Sequence, residues 1–226
     1  MQLRSALFFA VAATAVLAGC STRSVSGPSS PIVTARITIH PAPGAPVLKP
    51  DTEATIEVIN ARLKALGVGN FSLSAGQDIS VEVDGGVDAN KVQLAMHASG
   101  VVEFVPVAPG ATDPFIGSLV SLAAERLWPG DEIASASVGP DANGHPAIKV
   151  VLTPAGAQIF GTWTTSHVGS TLLIVLDGRV VSLVSITAPI VGGAVTLTGF
   201  DAPLLPIDVL AAILDSGPLT PNWRQP

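Results

Sequence analysis

The chain has 226 residues, enough for one or two domains with a sizeable core. Charged residues make up only 12% of it, against a usual share of about 25%, and the formal net charge is −6. This composition argues against a nucleic-acid-binding protein and against attraction to anionic lipid headgroups. Aromatic residues are 4% and tyrosine is absent, so a stacking platform for bases or sugars is not expected either.

The N-terminus is typical of an export signal. Arg4 precedes the apolar stretch ALFFAVAATAVLAG, which has signal-peptide length and is shorter than the roughly 20 residues that span a bilayer. The run Leu17-Ala18-Gly19-Cys20 then resembles the lipobox of bacterial lipoproteins, in which the cysteine is lipidated and the peptide is cut before it. We therefore expect a signal peptide at residues 1–19 and a lipid, palmitate included, on Cys20. The alternative is an ordinary secretory signal whose lone cysteine lies near the cleavage site by chance.

Residues 20–31 are rich in serine, proline and glycine and have no apolar periodicity, which predicts a flexible tether. Its 11 residues after the cysteine reach at most about 36 Å when fully extended. Because the chain has one cysteine, no disulfide is expected and stability must come from buried apolar surface. No later segment is long and apolar enough to predict a membrane span.

Residues 32–107 show the pattern of a β-α-β-β-α-β unit, the order of ferredoxin-like domains. The first helix is predicted to begin at Asp51 after Pro50, and the second at Asp88, with Gly100 beyond its end. The predicted strands are contained in four short stretches: IVTARITIH, FSLS, ISVEV and VVEFVPV. This part is predicted to form a unit of α+β class.

Residues 108–217 predict a further α+β segment. One helix is expected to start at Asp113 and to carry Leu119 and Leu127, and another to start at Thr153. The predicted strands lie in IKVVLT, LLIVL, VVSLVSI and AVTLTG, and a last helix runs roughly over residues 204–216. Asp177 and Gly178 stand between two of these apolar runs, which predicts a two-residue hairpin turn, because both residues tolerate positive φ.

The order of these motifs resembles the first periplasmic domain of SecD, a subunit of the bacterial SecDF preprotein-translocation complex. The resemblance covers roughly residues 32–226, with gaps around 108–146. It is carried by IEVINARLKALGV, GVVEFVPV, VVLTPAGAQIFGTWTTSHVGSTLLIVLDGRVVS, ITAPIVGGAVTLTGF and DVLAAILDSGPLTP. We expect the motif residues Asp177, Gly178, Gly192, Gly193 and Gly199 to serve turns and structure.

The resemblance implies a ferredoxin-like base at residues 32–107, an inserted head at 108–217 and a tail at 218–226 that returns to the base. In SecDF the head contacts emerging preprotein. Two departures limit the comparison. The family's proton-coupling transmembrane helices have no counterpart before the sequence stops at Pro226, and Ser182 is followed by Leu183 where the family has proline. Proton coupling is therefore not carried over.

Patterns that would indicate catalysis or metal binding are missing from the sequence. The four histidines share no ligand spacing, and the Asp141 loop lacks the closing glutamate of a calcium site. No serine stands in a nucleophile elbow. We expect no catalytic residue, no metal and no cofactor. Among the tryptophans, Trp163 is predicted to be in the core, and Trp223, in a proline-rich terminus, at the surface.

Together these observations predict a non-enzymatic lipoprotein, anchored by its lipid on the outer face of the cytoplasmic membrane, or in an outer membrane where one exists. Its expected partners are unfolded or secreted polypeptide, bound at a sheet edge or in a cleft between base and head, and components of the Sec translocase. The alternative is a structural or regulatory partner of an envelope or translocase complex that binds no client.

Overall fold

The computed structural model describes residues 35–84, 86–107, 116–121, 124, 126–129, 132–198 and 205–224. Its first part has the predicted order β-α-β-β-α-β, and the α+β class is confirmed. The elements are β1 (Ala35–Ile39), α1 (Lys49–Ala65), β2 (Phe71–Ala75), β3 (Ile79–Val83), α2 (Ala89–His97) and β4 (Val102–Pro106).

The second part adds strands on both sides of one helix and ends in a helix and a single 3-10 turn. These elements are β5 (Trp128–Pro129), β6 (Ile133–Pro140), β7 (Pro146–Leu152), α3 (Pro154–Ser166), β8 (Thr171–Leu176), β9 (Arg179–Ser185), β10 (Ala194–Leu197), α4 (Ile207–Ser216) and the 3-10 helix η1 (Pro221–Trp223).

Two helices begin at the predicted capping residues. The Asp88 carboxylate accepts from the backbone N–H groups at the start of α2, and the Thr153 hydroxyl accepts from the backbone N–H of Gly156 at 3.1 Å in α3. Each cap satisfies donors that the first turn leaves unpaired. Helix α1 instead begins at Lys49, ahead of the predicted Asp51, so that Asp51 lies in the first turn, where its charge favours the helix dipole.

The base sheet has the order β1-β3-β2 and is antiparallel throughout. Alternate residues of β3 are buried, which gives this sheet one face toward the core under α1 and α2. Strand β4 does not join this sheet, although a ferredoxin-like arrangement would place it beside β1. It pairs with β5 and β8 instead and lies in the interior of a second sheet, of order β5-β4-β8-β9.

Both faces of the second sheet are covered, which explains the continuous apolar run of β8. Leu172 and Ile174 face the main core, whereas Leu173 and Val175 form a smaller cluster with Val180. A strand that is buried on both faces needs no alternation of apolar and polar residues. In β8 the one polar residue is Thr171, at the beginning of the strand.

The prediction of a helix that begins at Asp113 is wrong for the residues that the structure describes. The first residues of that predicted helix, Asp113 included, lie outside the described part. Leu119 forms an antiparallel bridge with Arg179, and the neighbouring residues 117–120 exchange hydrogen bonds with the start of β9. Leu127 is followed directly by β5. Val120 and Ala124 pack against the smaller cluster, whereas Leu119 is 71% exposed, so the helical spacing does not mark a buried face here. Pairing with β9 overrides the local propensity.

The third sheet has the order β10-β7-β6. Strand β6 was not predicted, because IASASVGP alternates mainly between small alanine and serine residues and has only two β-branched residues, Ile133 and Val138. It forms against β7 through seven paired positions, and the Asp215 carboxylate of α4 accepts from its Ala136 N–H at 2.9 Å. This contact joins the last helix to the third sheet.

The C-terminal segment is buried, so the surface position predicted for Trp223 is wrong. Its side chain is 0% exposed and belongs to the main core. Hydrogen bonds hold the segment against α1 and the loop before it. Thr55 of α1 and Thr220 share one between their hydroxyls at 2.8 Å, and the N–H of Ala42 in the loop donates to the carbonyl of Asn222 at 2.8 Å. These long-range contacts give order to a stretch that has no helical periodicity.

Two predicted features lie outside the described residues, namely Gly199 and the N-terminal region that contains Cys20. Among the helices of the described ranges, none has the length and apolar character needed to traverse a bilayer.

Candidate functional site

A groove of about 760 Å³ runs between α2 and the hairpin formed by β8 and β9. We call it the α2–hairpin groove. Its volume is in the usual range of ligand sites. Its floor is apolar, with Leu176 and Val181 from the hairpin, and Leu94 of α2 remains 41% exposed along one wall. The residues that line it are Asn90, Gln93, Leu94, His97, Ala98, Leu176, Asp177, Arg179, Val181 and Leu205.

Three polar side chains follow the α2 wall at helical spacing. Asn90, Gln93 and His97 fall at positions i, i+3 and i+7, which places them on one face of the helix. All three are exposed, and within the described ranges none of their side chains makes a hydrogen bond. The groove therefore combines an apolar floor with free amide and imidazole groups along its rim.

Asp177 and Gly178 form the turn between β8 and β9, with φ values of 47° and 78°. The Asp177 carboxylate also accepts from the backbone N–H groups of Gly100 at 3.3 Å and Val101 at 2.9 Å. In return, the Asp177 N–H donates to the Val101 carbonyl at 2.9 Å. The turn thus serves a second purpose, since it fastens the hairpin to the segment that follows α2.

Arg62 of α1 lies on the other side of this segment and is 0% exposed. Its Nη1 donates to the carbonyls of Ala95 at 2.7 Å and Ala98 at 2.6 Å, and its Nη2 donates to Gly217 at 3.0 Å. Its Nε donates to the Ser216 hydroxyl at 3.1 Å. One guanidinium therefore binds the C-terminal ends of α2 and α4, where carbonyls lack helical partners and carry partial negative charge.

Burial lowers the pKa of Arg62 to about 10, and the nearby negative charge of Asp177 acts in the opposite direction. The side chain is a cation at neutral pH. In the described part of the chain no carboxylate forms an ion pair with it, so carbonyl dipoles provide most of its compensation. Sequence reasoning missed this residue, although Arg62 falls three residues after Ile59 and four before Leu66, within the apolar stripe of α1.

Two predicted structural glycines, Gly192 and Gly193, lie in the loop before β10, and Gly193 closely approaches α3. Gly193 has φ +69°, and a Cβ there would lie 2.7 Å from the Cβ of Ala157. Its carbonyl accepts from the Leu152 N–H at 2.8 Å. Gly192 has open space around its Cα, so no close contact requires glycine at that position. Neither glycine borders the α2–hairpin groove.

A second apolar surface lies on α3. Trp163 and His167 stack with ring centroids 4.5 Å apart, beside an open groove of about 730 Å³ that also includes Ile159. Trp163, predicted in the core, is partly buried and packs against it. We call this the α3 face, defined by Ile159, Trp163 and His167.

The other histidines are separated by the fold. His40 contacts the Asp78 carboxylate at 2.8 Å, and His145 lies near Asp141 in the β6–β7 loop. Asp141 accepts from the N–H groups of His145 and Asn143, and the first of these hydrogen bonds is the main cause that lowers its pKa. Within the described residues, no group of three or more His, Cys, Asp or Glu side chains could hold a metal ion.

Comparison with known proteins finds similarity to one family. Residues 111–220 match the model of the SecDF P1 head subdomain. The chain is similar to the protein translocase subunit SecD of Rhodobacter capsulatus, at 29% identity over 164 residues, which cover 65% of this chain and 30% of the relative. The chain spans about a third or less of the length of the curated relatives first matched.

Solved structures agree in fold. A SecDF crystal structure in a super-membrane-facing form superposes with a TM-score of 0.66 at 27% identity, over 82% of this chain and 28% of that one. A second solved chain, from SecDF as a membrane component that enhances protein export, gives 0.62 at 27% identity and covers 84% of this chain and 97% of that one. Nearly the whole of this second chain therefore corresponds to the fold described above.

In the described residues, four helices and three antiparallel sheets thus form a mixed α+β domain that matches the solved SecDF structures in fold. More particularly, the predicted resemblance to the first periplasmic domain of SecD is confirmed by the family match at residues 111–220 and by the similarity to SecD and SecDF.

Proposed function

We propose that this domain is a non-enzymatic component of protein export that binds extended polypeptide in the α2–hairpin groove. The relatives and solved neighbours are named for protein translocation and export, which supports this field of action. The observation that carries the proposal is the groove itself, whose floor is apolar and whose rim side chains make no hydrogen bond to any residue that the structure describes.

The rim suits a polypeptide main chain. The side-chain amides of Asn90 and Gln93 each offer donors and an acceptor, as a peptide unit does. They stand one helical turn apart, and His97 extends the row by another turn. Such groups bind the main chain regardless of sequence, whereas the floor at Leu176 and Val181 favours apolar side chains. The substrate class is therefore extended, apolar-rich and otherwise unselected polypeptide.

The groove is favoured as the binding place over the β9 edge of the second sheet, which borders it. Strand β9 is the outer strand of its sheet, but residues 117–120 already pair with its first residues. Further along, the Ser182 hydroxyl donates to the Thr198 carbonyl at 3.4 Å. Strand addition requires a free row of backbone groups, and β9 offers only a short one.

Lipidation of Cys20 would hold this groove beside a membrane. The support is the sequence Leu17-Ala18-Gly19-Cys20 and the short tether behind it. A tether that reaches about 36 Å at most keeps the domain near the bilayer surface, where exported chains emerge. Mass spectrometry of the protein purified from its host would test this part. A free thiol at Cys20, or an intact signal segment, would contradict the anchor.

Binding is tested with a fluorescein-labelled, apolar-rich unfolded peptide and fluorescence anisotropy. Leu94→Asp places a charge in the groove and should weaken binding at least tenfold. Val138→Asp is the matched control, because Val138 is a similarly exposed apolar residue, at 47%, on β6 and outside the groove. Equal affinities for the two variants, or no binding by the unmodified protein, would contradict the proposal.

A second candidate function is that of a structural or regulatory partner in an envelope or translocase complex, supported by the α3 face. Ile159 is 39% exposed there, and the stacked rings of Trp163 and His167 form an adjoining surface. Affinity purification separates the two functions. Stable partners in fixed stoichiometry that are lost with Ile159→Asp favour this one, and heterogeneous clients lost with Leu94→Asp favour the first.

A further inference from the structure

The segment at residues 98–101 connects the two walls of the α2–hairpin groove. It follows α2 directly, so it carries the end of one wall. Gly100 and Val101 of the segment also form three hydrogen bonds with Asp177 in the turn of the hairpin. The segment therefore holds the second wall as well. Any shift of this segment changes the separation between α2 and the hairpin.

Arg62 fixes that segment from beneath. Four of its five N–H donors are used, and two of them go to the carbonyls of Ala95 and Ala98 at the end of α2. The other two go to Ser216 and Gly217 at the end of α4. The guanidinium fork is planar and rigid, so these four contacts fix the two helix ends relative to α1.

The fit around Arg62 is close. Gly100 has φ +81°, and a Cβ there would lie within 3.0 Å of the Arg62 Nη2 atom. The same Cβ would lie 3.1 Å from the Gly217 carbonyl oxygen. The backbone of Gly100 therefore packs directly against the guanidinium, and there is no room for a side chain at this position.

We propose that Arg62 is a positioning residue of the α2–hairpin groove, one that sets the separation of the groove walls without contacting the bound polypeptide. This inference rests on the proposed function for its effect on binding. A buried cation is a costly way to obtain stability alone, because apolar replacements of buried charges are often no worse. Its value here is the fixed geometry that four directional donors impose.

The first measurement is the distance between the groove walls and needs no peptide. In the full chain with Cys20→Ser, nitroxide labels on Gln93→Cys and Arg179→Cys report this distance by double electron–electron resonance. Arg62→Lys keeps the charge but not the fork, and it should broaden the distribution; Arg62→Met should broaden it further. Lys91→Met is the control, since it breaks the surface ion pair between α2 and Asp208 of α4 and should leave the distribution unchanged.

The second measurement is affinity for the labelled unfolded peptide, made on unlabelled variants at a temperature where each is folded by circular dichroism. Arg62→Lys should bind at least tenfold more weakly, and Lys91→Met should bind as the unmodified protein does. Should Arg62→Met not fold, Arg62→Lys and Gly100→Ala still test the inference, because both retain a positive charge at residue 62.

Unchanged distances in the folded Arg62 variants would overturn the inference, as would unchanged affinity despite a broadened distribution. Failure of the unmodified protein to bind peptide would instead contradict the proposed function, and the distance measurement would still decide whether Arg62 sets the groove.

Discussion

Replacement of Gly100 by alanine measures how tightly the guanidinium is enclosed. The new methyl group meets two costs. A left-handed backbone at φ +81° disfavours an L side chain by about 1–2 kcal/mol. The Cβ also displaces Nη2 of Arg62 and so breaks its hydrogen bond to the part-buried Gly217 carbonyl, which keeps only a longer contact from the Ser216 hydroxyl at 3.3 Å. A hydrogen bond from a charged donor contributes about 1.5–3 kcal/mol. We expect a loss of about 3–4 kcal/mol in the free energy of unfolding, a large part of the 5–15 kcal/mol typical of domains.

Gly67→Ala provides the matched control. Gly67 has φ +73°, close to that of Gly100, but a Cβ there meets no atom within 4 Å. Only the backbone cost of about 1–2 kcal/mol should appear. Urea unfolding followed by tryptophan fluorescence gives both values, and an unchanged m-value ensures that the comparison concerns stability.

A double-mutant cycle completes the assay. In an Arg62→Met background the guanidinium is gone, so the cost of Gly100→Ala should fall toward that of Gly67→Ala and exceed it only by the crowding of the Cβ against the Gly217 carbonyl oxygen at 3.1 Å. Non-additivity of more than about 0.5 kcal/mol identifies residues in contact. If Gly100→Ala and Gly67→Ala cost the same in the unmodified protein, the enclosure of Arg62 by this glycine would be refuted.

Three further changes have defined outcomes. Asp177→Ala should lower the free energy of unfolding by about 2–3 kcal/mol, because two N–H groups lose their acceptor and φ 47° disfavours alanine, whereas Asp177→Asn should cost less in the same urea titration. Trp223→Ala should cost about 3–5 kcal/mol by calorimetry, as expected for a buried aromatic; Trp223→Phe should be milder, since it also removes an Nε1–H that has no partner in the described part of the chain. Asp141 has a lowered pKa in the fold, so its stabilisation is complete above the ordinary value of about 3.9 and is lost as the pH falls through the folded value. The difference in urea midpoint between the unmodified protein and Asp141→Asn should therefore be smaller at pH 3 than at pH 6, and a constant difference would contradict this account.

The sequence predicted those parts of the fold that depend on neighbours along the chain. The caps at Asp88 and Thr153 and the Asp-Gly turn follow from local hydrogen bonds and allowed φ values. The errors arose where distant residues decide. Strand β6 forms because β7 and α4 supply its partners, and residues 117–120 pair with β9 although their spacing is helical.

The candidate site was less accessible from sequence than the fold. The turn residue Asp177 was singled out for its geometry, but its hydrogen bonds to residues 100 and 101 connect positions more than 70 apart in the chain. Arg62 stands in an apolar stripe, which is a readable signal, yet its acceptors come from two other helices. The groove rim at Asn90 and Gln93 has no distinctive pattern, because exposed amides on a helix are common.

The placement of β4 has a consequence for any attempt to dissect this domain. Residue 107 is the boundary predicted from the sequence between base and head, but β4 lies just before it and is flanked by β5 and β8 from beyond it. A fragment truncated at residue 107 would leave both edges of β4 unpaired and uncover Phe104 and Val105, which invites aggregation. The two segments thus share strand β4. We expect a fragment that contains the head to stay soluble only if it also includes β4.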